Sequence, residues 1–402
     1  MNVITNSLEE FKTYREDKKI SIALMSSFVI LTIQYFILIY FNLLESGAGS
    51  RIQLISKLLV GVAFLFALPP VLKRSKIKAF EVYVLSIFVF LLHYAIFSEN
   101  RVYMLNILFP FFFMSLPAFI YTLSIKDLGV FKIMMKKSSY IVFVFGLLIG
   151  ILVFLGKISV GAYSMSLSYY MLLPTILFLD ELMDKFSLKA IIFASVSLLI
   201  ILALGSRGAI LCIVVFVLLK FARPNSMRTY KRALGHFSII GAGVVVLIFF
   251  EKILMSLYSF LQGFGINSRT LILLLRENIY LSGRDQIYEM VIEEIINHPF
   301  LGIGLAGDTR IIGSSYVHNF FIEAIGNFGV VLGSFIGVGI IIIIINSLLA
   351  KDTFKYNLTI VWLCLGFVHL MVSSSYLIDM KFWIFLGLII NMSLSNSKEK
   401  IM

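Results

Sequence analysis

Residues 317–348 read VHNFFIEAIGNFGVVLGSFIGVGIIIIIINSL. Glu323 and His318 are the only side chains in this stretch that can carry a charge. A helix needs about 20 apolar residues to cross the hydrocarbon of a bilayer, so the run is long enough with turns to spare. It lacks the alternation of a barrel strand. Backbone polar groups in lipid must also be bonded within the segment, so the run reads as a helix. Working outward, further apolar runs lie at 20–44, 52–72, 79–97, 102–124, 139–155, 158–179, 190–204, 208–222, 237–255, 357–374 and 382–395. The fold class is therefore an all-α polytopic membrane protein with about twelve transmembrane helices.

Composition agrees. Of 402 residues, 60% are hydrophobic and only 14% charged, and the mean hydropathy is +0.98. Soluble proteins carry about 25% charged residues. So few charges cannot solvate the surface of a soluble protein of this size, which excludes a cytosolic enzyme and a disordered chain. Cys212 and Cys364 both sit in apolar runs, so a secreted disulfide scaffold is excluded as well. The first run is too long for a signal-peptide core and reads as an uncleaved span.

The net charge of +12 follows the spans. Basic residues gather before the first run and at 73–78, 125–138, 180–189, 220–232, 351–355 and 398–400. These are alternate connections plus both ends, which puts both termini in the cytoplasm. No nucleic-acid partner is needed to explain the charge. The opposite connections are very short, except the segment from about Ser256 to Tyr316. One large extracytoplasmic loop is thus expected between spans 9 and 10. Its arginines lie on the wrong side to be orientation signals.

Within that loop, Ser282-Gly283-Arg284-Asp285 precedes a helical pattern carrying Ile287, Val291, Ile292, Ile295 and Ile296, and Pro299 ends it. Ser282 is placed to cap this helix. Arg284 falls in the first turn, where peptide N–H groups and a guanidinium suit a phosphate or diphosphate. The other reading is a salt bridge to Glu289 or Glu293. Arg207, in Gly205-Ser206-Arg207-Gly208, sits between two spans on the same side. It either faces a polar cavity or snorkels to the interface. Asn319, Glu323 and Asn327 form a polar stripe on an apolar helix, implying a polar cavity or a packed polar seam. His318, at the head of that stripe, is either a proton acceptor or a hydrogen-bonded interfacial histidine.

Other signals are discounted. Gly302-Ile303-Gly304-Leu305-Ala306-Gly307 fits a dinucleotide fingerprint but lacks a preceding strand, and reads as a glycine-rich turn. His93, His236, His298 and His369 have no companions at metal-ligand spacing. His369 reads as a bonded polar residue in helix packing. Gly326, Gly329, Gly333, Gly337 and Gly339 are read as points of close helix approach.

Taken in order, these elements resemble the O-antigen polymerase and ligase superfamily. The resemblance covers about Leu204 to Gly333. It rests on the Gly205–Gly208 hinge, Ser282-Gly283-Arg284 with Tyr288, His298-Pro299-Phe300-Leu301-Gly302-Ile303-Gly304, His318-Asn319, and Gly326-Asn327-Phe328-Gly329. It implies a GT-C-like membrane glycosyltransferase of the bacterial inner membrane, working outside the cytoplasm without metal or other cofactor. The implied partners are a polyprenyl-diphosphate-linked oligosaccharide donor, a lipid-linked acceptor, membrane lipids, a flippase and a chain-length regulator. Arg207, Arg284 and His318 are the implied catalytic residues, with Asn319, Glu323, Tyr288 and Arg310 as substrate-binding candidates. The activity expected first is repeat-unit polymerisation in O-antigen or capsule synthesis, with transfer to lipid A-core or a protein hydroxyl as the ligase alternative. A reading from another class is a transporter of polysaccharide or lipid-linked oligosaccharide. Transporters usually carry inverted repeats and mid-membrane charges; no repeat is visible here.

Overall fold

The computed structural model describes residues 2–158, 165–204, 206–223, 237, 241, 250–275, 283–313 and 316–399. Every regular element among them is helical and none is a strand. In chain order the helices are α1 (Asn2–Tyr40), α2 (Gly47–Ile96), α3 (Arg101–Pro110), α4 (Leu116–Leu123), α5 (Leu128–Phe154), α6 (Met165–Asp184), α7 (Leu188–Leu204) and α8 (Arg207–Ala222). Then come α9 (Phe250–Gly263), α10 (Arg269–Leu274), α11 (Arg284–Asn297), α12 (Gly307–Ile312), α13 (Phe320–Leu348), α14 (Thr353–Trp362) and α15 (Met380–Glu399).

Six segments of the described chain are long and apolar enough to cross a membrane: Glu9–Tyr40, Gly47–Ile96, Ser98–Leu123, Leu128–Phe154, Phe320–Leu348 and Thr353–Met371. Leu188–Ala203 and Met380–Leu394 are apolar but shorter. The runs expected at 52–72 and 79–97 do not end at a loop. They share α2, which breaks its helical dihedrals only at Ser75. The basic stretch between them can stay helical because Arg74 is not left to water. It donates to Glu16 Oε2 at 2.8 Å and to Asp17, and also to the Ser124 carbonyl at 3.0 Å. Likewise α5 starts at Leu128, so Lys132, Lys136 and Lys137 ride on a helix where a loop was expected. Most of the ninth run, 237–255, falls outside the described residues, as do Gly205 and Ser282.

The chain forms two compact units. One comprises residues 25–63 and 129–280. Here Gly146 lies against the Met171 side chain, leaving no room for a Cβ. Lys220, buried on α8, pairs with Asp180 and with Asp184 at 3.1 Å, both on α6. A buried cation is tolerable only with such partners.

The other unit comprises residues 1–24, 64–128 and 281–402. Within it α15 packs on α4. Gly387 rests on the Phe119 carbonyl, and the Asn391 amide donates to the carbonyls of Thr122, Leu123 and Ile125 at 3.0, 3.3 and 2.9 Å. Those are the orphan acceptors at the end of α4 and just beyond it. The same unit contains a backbone exchange. Gly329, at φ +79°, breaks α13. In an unbroken helix the Val330 N–H would bond the Gly326 carbonyl. Instead Val330 N–H donates to the Pro299 carbonyl at 2.8 Å, and Ile303 N–H takes the Gly326 carbonyl at 2.7 Å. The glycine-rich turn after α11 is thus stitched into the break of α13.

Glycine is required there for space as well as for backbone freedom. A Cβ on Gly302 would stand 2.2 Å from the Gly326 carbonyl oxygen. Gly302→Ala is therefore expected to deplete folded protein, read by size-exclusion chromatography of detergent extracts after heating. Gly313→Ala is the control. Its φ is +92° but nothing lies within 4 Å, so it should cost only the left-handed penalty of about 1–2 kcal/mol. Equal losses in the two variants would show that the stitch does not matter.

Candidate active site

The site is built in the second of these units, beginning with α11. Its N-cap is Gly283 at φ +77°, not the Ser282 that the sequence proposed. A left-handed glycine turns the chain into the helix without a side-chain cap. The inner face of α11 buries Val291 and Ile295 in a cluster with Ile303 and Val317, and Ile287, Tyr288, Ile311, Ile322 and Ile325 pack against it. Tyr288 is thereby placed in apolar packing.

This packing holds Arg284 at the head of α11. Its guanidinium donates to the Val372 carbonyl. Among the described residues no carboxylate pairs with it, neither Glu289 nor Glu293. A carbonyl orients a guanidinium and leaves its charge uncancelled.

His318 is brought to the same place from the other direction. Asp308, buried in α12, accepts from the Val317 N–H at 3.0 Å. Asn319 caps α13, its side chain accepting from Phe321 N–H at 3.0 Å and Ile322 N–H at 3.2 Å. Pinned on both sides, His318 adopts φ +56°. A non-glycine residue persists in that region only where its surroundings dictate it. The ring meets Tyr316 edge to face, with centroids 4.6 Å apart. Burial, then the nearby Arg284 charge, then His369 push the imidazole down to about 4. At neutral pH it is uncharged and can accept a proton. Tyr316 is shifted up by burial and by Asp379 and Glu323 nearby.

Behind these residues the polar stripe is a packed seam. Glu323 is buried and accepts from the Ser375 hydroxyl and from Tyr376 N–H at 3.3 Å. The Asn327 amide donates to the Tyr376 hydroxyl at 2.8 Å. The segment 372–379 therefore does three things. It presents the Val372 carbonyl to Arg284, hydrogen-bonds Tyr316 through Ser374, and satisfies Glu323. At its far end Asp379 pairs with His369 at 3.0 Å and Lys381 at 3.5 Å. Burial alone would raise the Asp379 carboxyl, but these two neighbours outweigh it and hold it down. His369 thus has the bonded structural place its sequence context indicated.

The two remaining arginines have their own settings. Arg310 is engaged by Asn100 Oδ1 at 2.9 Å and Glu99 at 3.2 Å. Arg207 belongs to the other unit, where it opens α8 after an extended Ser206 whose hydroxyl lies 3.3 Å from that of Ser168. Sequence reasoning missed Asp308, Tyr316, Ser375, Tyr376 and Asp379. The short turn holding the last three carried no motif; its one signal was the polar run Ser373-Ser374-Ser375 between apolar segments. Among the described residues no group of three or more His, Cys, Asp or Glu side chains is placed to hold a metal ion.

The family model described as O-antigen ligase matches residues 192–337. That segment includes Arg207, Arg284, Tyr288, Arg310, His318, Asn319 and Glu323, and the match supports the resemblance to the O-antigen polymerase and ligase superfamily. No curated protein matches the chain.

Removing the seam's hydroxyl leaves the Glu323 carboxylate short of a donor. Ser375→Ala should therefore cost about 1–3 kcal/mol, or more if the carboxylate stays charged. Thermal unfolding in detergent should shift down for Ser375→Ala and much less for the exposed control Ser50→Ala. Equal midpoints would remove Ser375 as the prop of Glu323.

Proposed function

We propose that this chain is a bacterial polysaccharide repeat-unit polymerase, acting in O-antigen or capsule synthesis on the extracytoplasmic face of the inner membrane. In this reading twelve spans and two cytoplasmic termini carry one outer loop, which folds over the substrate. The observation that supports it best is the pairing of Arg284, free of any carboxylate partner among the described residues, with an uncharged His318 beside it.

The chemistry follows from those two groups. A polyprenyl-diphosphate leaving group gains negative charge as the glycosidic bond breaks, and a fixed guanidinium in a desolvated site stabilises that charge. Arg284 supplies it at the first turn of α11, where the unbonded peptide N–H groups of a helix N-terminus also favour an anion. Arg207, which belongs to the other unit, is the second guanidinium that the family resemblance implies, and it is tested alongside Arg284 and His318. The acceptor sugar hydroxyl must lose a proton as it attacks, and neutral His318 receives it. Asn319 and Glu323 shape the wall below, and Tyr288 and Arg310 hold the loop that closes it. The acceptor is a lipid-linked repeat unit. Because the matching family model is described as O-antigen ligase, transfer to lipid A-core or a protein hydroxyl is the second reading.

A deletion strain separates the two. Glycans capped at one unit mark a polymerase, and long unattached chains mark a ligase; loss of lipid-linked intermediate on the outer face would instead indicate transport. His318→Ala, Arg284→Ala and Arg207→Ala should each abolish product while the protein inserts at normal levels. A base contribution of about 10²–10⁴ is expected for His318. Full activity in all three variants would end the assignment.

The pH profile tests the base directly. His318 acts only unprotonated, and its shift is downward, so kcat/KM should hold as pH falls and drop only toward about 4. An unperturbed histidine would place that limb near about 6.5. Bound diphosphate raises imidazole basicity, so the kcat limb should lie above the kcat/KM limb. An acid limb in kcat/KM that is unchanged in His318→Gln would assign the proton elsewhere.

A further inference from the structure

The turn that follows α11 carries large apolar side chains on its outside. Phe300 is 81% exposed, Leu301 64% and Ile296 69%. In a segment expected to face water such a patch needs a partner. The backbone gives the first clue to which one. Gly302 N–H bonds the His298 carbonyl at 2.9 Å, Ile303 N–H bonds Gly326, and the Pro299 carbonyl is taken by Val330 N–H. Asn100 donates to the carbonyls of Ile303 at 2.7 Å and Leu305 at 3.2 Å. Leu305 N–H donates to His93 Nδ1 at 3.2 Å. A water-facing turn needs no such provision. An irregular segment beside lipid does, because hydrocarbon offers its polar groups nothing.

The second clue is continuity. Val330, whose N–H is tied to Pro299, begins the exposed apolar face of α13 that continues through Val331 and Phe335. Counting back about 20 residues from the end of α13 puts its entry into hydrocarbon at the Gly329 break. The polar stripe of Glu323 and Asn327 then lies above that level, and the turn lies at it. Exposed Asn297 and His298 form a polar edge beside the apolar residues.

We propose that Ile296, Phe300 and Leu301 form an interfacial anchor. The turn seats in the outer leaflet, in contact with lipid chains, at the depth where α13 enters the bilayer. The partner is the lipid surface itself. This goes beyond the glycosyl-transfer reading and does not depend on it.

The test uses the full chain in lipid nanodiscs. Phe300→Cys and Leu301→Cys are labelled with an environment-sensitive fluorophore, and Glu293→Cys, on the exposed face of α11, is the control. Cys212 and Cys364 are buried and stay in place, with unsubstituted protein labelled alongside. An anchor seated about 5–10 Å into the headgroup–acyl boundary should be quenched roughly two- to threefold more than the control by lipid bearing a nitroxide near the headgroup. Aqueous iodide should show the opposite order. Iodide quenching at 300 and 301 equal to that at 293 would overturn the proposal. So would shielding from both quenchers, which would mean that protein covers the patch.

Discussion

The break in α13 has value only because another segment completes it. A helix that loses an internal hydrogen bond leaves a buried donor and acceptor orphaned, at about 1–3 kcal/mol each. Here the turn after α11 supplies both replacements, with Ile303 N–H on the Gly326 carbonyl and the Pro299 carbonyl on Val330 N–H. The exchange fixes the C-terminal end of α11 against the N-terminal half of α13. Arg284 stands at the opposite end of α11, and His318 stands just before α13. One backbone junction thus helps set the spacing of the two side chains to which the proposed reading assigns the chemistry.

The electrostatics are layered around that junction. The Arg284 guanidinium is bonded to the Val372 carbonyl, with no carboxylate among the described residues offsetting it. The acidic groups nearby are already engaged, Glu323 by Ser375 and Tyr376, Asp308 by Val317, and Asp379 by His369 and Lys381. Engaged carboxylates do not migrate to the nearest guanidinium. The positive potential at Arg284 is therefore maintained by hydrogen bonds some distance from it, and it adds to burial, the larger cause, in pushing His318 down.

Much of this was legible in the sequence, and the limits are physical. Long apolar runs announce helices, since lipid permits little else. The all-helical character followed from them, while the span boundaries did not: Arg74 could not be seen to have Glu16 and Asp17 as partners, so a loop was expected where α2 runs on. The polar stripe on α13 was visible from its spacing of four, but whether it faced a cavity or a seam depended on residues about 50 positions away. Gly326 and Gly329 were visible as small residues; their backbone exchange with the turn after α11 was not, because periodicity says nothing about which carbonyl a distant N–H will reach. The segment 372–379 was the hardest to read. Three serines and a tyrosine between two spans look like any short turn, and their role appears only once Glu323 and Arg284 are beside them.

Asn100 has a consequence for how the molecule is made. Its amide closes on carbonyls 203 and 205 residues further along the chain. At ribosomal speeds of about 5–20 residues per second, roughly 10–40 seconds pass between the emergence of the two partners. Throughout that interval the growing polypeptide carries an unfilled amide near the end of α2, beside His93, which also awaits its donor from Leu305. Maturation of this unit is therefore a late event in biosynthesis, gated by the arrival of the glycine-rich turn.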